Sequence, residues 1–145
     1  MKNNQSALDT PKTNTSAKWG AVGAILAILI ITVLEFPAPI GFETRPQTNV
    51  SPVWGVFFLI ILITEIAAIP LIFRRPGLGR KFGIIAGILN ILQVAADQAH
   101  LLQPEVAPLG YSLLEGLVVI ASLALIYFCL KLQNKVDTLL PPTDI

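Results

Sequence analysis

Asp97, His100 and Glu115 are the residues of this chain best suited to moving a proton. Two carboxyls and an imidazole are the usual parts of acid–base chemistry. All three lie within or at the edge of long apolar runs. An ionisable group there is expensive, so it faces a bundle interior or a wet cavity and marks function. In the third apolar run Asn90, Gln93, Asp97 and His100 follow one another at i, i+3, i+7 and i+10. At about 100° per residue they share a stripe roughly 80° wide, with Gln98 off it. In the fourth run Tyr111, Ser112, Glu115 and Ser122 share a face, and in the second Trp54 and Phe58 stand on the face of Glu65.

Depth along each run ties these stripes together. At about 1.5 Å per residue, Asp97 and Glu115 both lie roughly 9 Å from the same end, with Glu35 and His100 nearer the surface. Glu65 and Asn90 are deeper, at roughly 20 Å. If Asp97 and Glu115 face each other, one of them should hold a proton, which is what a general acid–base pair or a relay needs. Asp97, Glu115 and His100 are therefore the candidate catalytic residues. Glu65, Asn90, Gln93, Trp54, Phe58 and Tyr111 are the candidate ligand contacts. Glu65 paired with Asn90, and Asp97 with Glu115, can also be purely structural hydrogen bonds that fix helix register. Glu35 can simply snorkel to water.

The elements that must carry these side chains are four membrane-spanning helices. The chain has 145 residues, 54% hydrophobic and 13% charged, against about 25% charged in a soluble domain. Four stretches reach the roughly 20 residues a spanning helix needs: 19–37, 53–73, 82–102 and 109–132. Prolines and charges separate them, at 37–39, at Arg74-Arg75-Pro76-Gly77 and at Gln103-Pro104; proline is a strong stop because it lacks the helical amide. Gly20, Gly23, Ala24 and Ala27 give the first span small-xxx-small spacings that permit close helix approach. Pro70, inside the second span, frees the carbonyl of Ile66 and predicts a kink beside Glu65. The expected fold is all-α, an integral membrane up-down-up-down four-helix bundle. Residues 1–18 and 133–145 read as tails, and the proline-bearing loop 38–51 as a cover over the outer mouth.

Nine of the ten lysines and arginines fall on one side of these spans, with Arg45 alone on the other. The positive-inside rule then places both termini in the cytoplasm of a cell-membrane protein. The first span is too long for a signal-peptide core and lacks a small-x-small cleavage site, so it reads as an uncleaved anchor. A net charge of +1 argues against a nucleic-acid partner. Cys129, the single cysteine, excludes an intramolecular disulfide, a CxxC pair and a cysteine-rich metal site. One histidine and no CxxCH make a poor haem site. No P-loop, GxGxxG, HExxH or Ser-His-Asp signature is present. The residues name neither a metal nor a cofactor.

Glu65, the short basic turn Arg74-Arg75-Pro76-Gly77-Leu78-Gly79-Arg80 and an apolar third span ending at His100 resemble the DoxX-like group of small bacterial four-helix membrane proteins. The resemblance covers residues 52–100. The first span departs from it, lacking the membrane-embedded arginine and glycine run expected there. The resemblance implies an accessory role beside membrane-linked redox chemistry, sometimes with quinones, and carries over only Glu65 and His100. Three functions are compatible with the residues. In the first, a quinone or isoprenoid-like small molecule binds in the bundle, with the bilayer and a homodimer or redox subunit as partners. In the second, a membrane-embedded isomerase or cyclase uses the same carboxyls as acid and base. In the third, a dimer acts as a proton-coupled transporter with Glu65 as its gate.

Overall fold

The computed structural model describes residues 14–35, 52–101 and 109–132, and these are helical almost throughout. Helix α1 spans Thr15–Glu35, α2 Pro52–Arg74, α3 Pro76–Gln98 and α4 Leu109–Leu130. All four are long and apolar enough to cross a membrane. The expected mouth-covering loop 38–51 and the tail 133–145 lie outside the described residues. So do residues 1–13 of the expected N-terminal tail, whose last four positions, Thr15 to Lys18, belong to α1.

The exterior of the bundle is apolar. Leu26, Ile30, Ile63, Leu92, Leu117 and Ile120 are each about half exposed or more, a surface that water would not tolerate over such an extent and that lipid favours. The interior is the reverse. Beside Ile25, Ile28, Ile72 and Leu125, it buries Glu65, Asn90, Asp97, Glu115 and Ser122. Helix α1 packs on α4, α4 on α3 and α3 on α2, with a thinner contact between α1 and α2.

The third span differs most from its sequence boundaries. It starts six residues before 82 and its helix ends four before 102. Prolines and glycines read as breakers, but proline at the first helical position is pre-organised for a helix and lacks only an amide that would be orphaned anyway. Pro76 takes that position, so Arg75 alone separates α2 from α3. The corner is closed by the Arg75 amide donating to Leu71 O (2.8 Å) and the Gly79 amide donating to Arg75 O (2.9 Å). Pro70 is accommodated within a continuous α2, and it and Ile66 face outward, away from buried Glu65.

Three glycines four residues apart allow α3 to sit close to both neighbours. A Cβ on Gly79 would stand 2.6 Å from Ile72 Cα of α2; one on Gly83 would collide with Cys129 Sγ of α4; one on Gly87 would lie 2.7 Å from Ile126 Cγ1 and 3.0 Å from Ser122 O. In α1, Gly20 abuts the Phe128 ring and Ala24 is buried, but Gly23 is exposed with open space around it, so the small-residue face of α1 is narrower than its sequence spacing implies.

These contacts sort the charges by end. Trp19 of α1 meets Phe73 of α2 edge-on with ring centroids 5.3 Å apart, and Gly20 meets Phe128 of α4. Lys18, Arg74, Arg75, Arg80, Lys81 and Lys131 therefore gather at one end of the bundle. There the Lys131 ammonium also lies 4.3 Å from the centre of the Tyr127 ring. The four acidic residues among the described residues, Glu35, Glu65, Asp97 and Glu115, lie at mid-height or at the opposite end.

Candidate functional site

Two polar layers occupy the interior, held together by the face of α3. The deeper layer is Glu65 with Asn90. Both are nearly sealed from solvent, at 2% and 4% exposure. Asn90 Nδ2 donates to Glu65 Oε1 at 2.6 Å and to Ala86 O at 3.1 Å. This is the interhelical bond that counting depth along the two spans anticipates. Burying an amide or carboxyl without a partner is costly, and here each supplies the other's need.

The outer layer brings together three helices. Asp97 of α3 and Glu115 of α4 are close enough to interact directly, and Glu35, the last residue of α1, is close enough to both to interact electrostatically. Gln98 Nε2 donates to Glu115 Oε2 and, at 3.3 Å, to Ser112 Oγ. The cluster is rich in acceptors: among the described residues, Glu35 Oε1 is buried with no partner, and so is Gln93 Oε1, one turn deeper on α3.

Several sequence expectations change here. Glu35 is half-buried beside Asp97 rather than reaching away to water. Gln98, placed off the polar stripe, bonds directly to Glu115 because its long side chain reaches sideways across to α4. His100 leaves the stripe altogether. Helical spacing cannot be extended to it, because α3 ends at Gln98. The His100 amide donates to Asp97 O (2.9 Å) and the Leu101 amide to Ala96 O (3.0 Å), the pair of bonds that closes a Schellman turn. His100 holds its left-handed position with φ 57° and an exposed side chain. Trp54 packs on Phe57 of its own helix, centroids 5.5 Å apart. Phe58 and Tyr111 are half-buried, as is Gln93. Ser122, on the predicted face of α4, is fully buried with its hydroxyl unpartnered among the described residues.

The left-handed φ of His100 has a consequence for stability. A glycine there relieves the left-handed conformation, so His100→Gly should match or exceed the wild type in stability by up to about 1 kcal/mol, whereas His100→Ala should not gain. Thermal unfolding in detergent reads this directly. A His100→Gly protein clearly less stable than wild type would show that the imidazole ring itself holds the turn or the cluster.

Comparison of the chain with family models, with curated proteins and with solved structures finds no match.

Proposed function

We propose that this is a small multi-pass cell-membrane protein that holds the polar head of a hydrophobic small molecule at its carboxyl cluster. The four helices run up-down-up-down with both termini in the cytoplasm, because the basic end then faces inward. The cluster opens to the outer face. The ligand is quinone- or isoprenoid-like, and the role is accessory to membrane redox chemistry, in line with the resemblance to DoxX-like proteins. A redox subunit or a second copy of the chain completes the assembly.

The observation that carries this reading is the mismatch of donors and acceptors at the cluster. Asp97, Glu115 and Glu35 converge there, with acceptor oxygens of Glu35 and Gln93 unpartnered among the described residues, and buried acceptors call for a donor. A head group bearing hydroxyls, as in a quinol or an isoprenoid alcohol, supplies donors to those oxygens while its tail lies along apolar helix faces. Trp54, Phe58 and Tyr111 flank the tail in this reading.

Native mass spectrometry with lipid extraction, on protein purified gently from its own membrane, tests it. A stoichiometric prenyl-type ligand, lost in Asp97→Asn, is the expected result. A bundle that is empty under every gentle condition would overturn the reading. The close approach of Asp97 and Glu115 favours a second reading, a membrane acid–base enzyme such as an isomerase or cyclase. A ligand retained by Asp97→Asn but no longer converted by it would favour that one.

A further inference from the structure

We propose that Glu65, at mid-height in the bundle, exchanges its proton with one face of the membrane only, the face at the carboxyl end, by way of Asn90 and Gln93. This goes beyond ligand binding by the outer cluster and does not depend on it. Asn90, Gln93 and Asp97 lie on one face of α3 at steps of three and four residues, so polar groups recur about every 5 Å along the interior. Asn90 already touches Glu65. Between that pair and the Asp97–Glu115 pair, Gln93 Oε1 is buried with no partner among the described residues, where an entering water finds a hydrogen bond.

The surroundings of Glu65 narrow the choice of route. On α2 itself, Thr64 is its only polar neighbour in the span, and its hydroxyl is committed to Ile60 O at 2.7 Å. On α3 it faces Asn90, and α4 supplies Ser122, a hydroxyl without charge. Residues 20–31 of α1 contain no polar side chain. No charged group among the described residues shares its level. Toward the basic end, Ala68, Ile72, Ala86 and Leu125 have no exposure at all; Cys129 is the next buried titratable group, and Tyr127 on the same helix faces outward. Toward the other end the next titratable groups are Asp97, Glu115 and Glu35. One turn from Glu65 on that side, α2 and α4 bury Ile61 and Val118; the polar side chains before the carboxyl pair are then Thr32, half-buried on α1, and Gln93, which shares the α3 face of Asn90 and Asp97 and is the stepping stone in line with both. A proton crossing an interior of this kind needs hydrogen-bonding groups or water at each step, because an apolar gap cannot hold it.

Infrared spectroscopy of the full chain in lipid tests the route. The protonated carboxyl band of Glu65 is the one that disappears in Glu65→Gln, and its shift after a change from H2O to D2O reports proton exchange. Gln93→Leu is expected to slow that exchange by an order of magnitude or more, while Gln93→Glu keeps it fast; elution profile and helix content establish that both variants are folded. Should Gln93→Leu misfold, Gln93→Met serves as the milder apolar block. Exchange at the wild-type rate in a folded apolar variant would mean that protons enter elsewhere and would overturn the proposal. So would a Glu65→Gln spectrum that loses no protonated carboxyl band at any pH, because Glu65 would then have no proton to exchange.

Discussion

Gly79→Ala is expected to cost about 3 kcal/mol or more, at or beyond the upper end of ordinary overpacking, and to lower the yield of folded protein sharply. The added methyl would stand 2.6 Å from Ile72 Cα and 2.7 Å from Leu71 C. Both are backbone atoms of α2, so no side-chain rotation relieves the contact. Nor can the corner open, because Arg75 is the only residue between the helices and its amide and carbonyl both hold it shut. Gly20→Ala offers the control. Its methyl would meet the Phe128 ring, a side chain that can turn, so the loss should be distinctly smaller. Thermal unfolding of both variants in one detergent decides the matter. Equal stabilities would mean that the α2–α3 corner yields more easily than its geometry implies.

The spacing rule that singles out Gly20 and Ala24 in the sequence applies with more force to Gly79, Gly83 and Gly87. They are hidden by their neighbours: Pro76, Gly77, Arg80 and Lys81 give this segment the look of a loop, and glycine within a loop signals a turn rather than a helix contact. Only the placement of Pro76 at the first helical position turns the same residues into the opening turns of α3. The second and fourth spans, by contrast, are legible to within a residue or two at every end, because long apolar runs bounded by charge leave a spanning helix little freedom.

The candidate site divides in the same way. Partners on regular helix are legible: Asn90 with Glu65, and Asp97 with Glu115, follow from depth and face, two quantities fixed by helical rise and twist. What is not legible depends on departures from the helix or on the reach of a side chain. His100 lies two residues past the end of α3 in a left-handed turn, a conformation that glycine usually signals and histidine does not. Gln98 reaches sideways from its off-stripe position to Glu115 and Ser112. Glu35 approaches Asp97 because α1 packs on α4, a pairing of first and last helix that no local pattern records.

Asn90→Leu should be the most damaging single change in the interior polar layers, and its rescue is the more informative half of the experiment. The substitution removes the donor at 2.6 Å from Glu65 Oε1 and leaves a carboxyl that is 2% exposed with no other hydrogen bond to protein among the described residues. Orphaning a buried polar group costs about 1–3 kcal/mol, more if it is charged. Removing both partners is a different matter, since apolar groups of similar volume can replace a buried polar pair at little cost or with a gain. The double variant Asn90→Leu with Glu65→Met is therefore expected to recover most of the lost stability, giving a positive coupling in a double-mutant cycle read by thermal unfolding. Recovery would mean that stability does not require the pair, which leaves function as the reason for keeping a carboxyl at mid-membrane. If the losses simply add, the two residues act independently and the 2.6 Å bond contributes nothing measurable to the fold. Asn90→Asp separates charge from shape: it keeps the volume but sets a second carboxyl against Glu65, and it should destabilise progressively as rising pH ionises the pair, because two like charges at that distance cannot both be held without water.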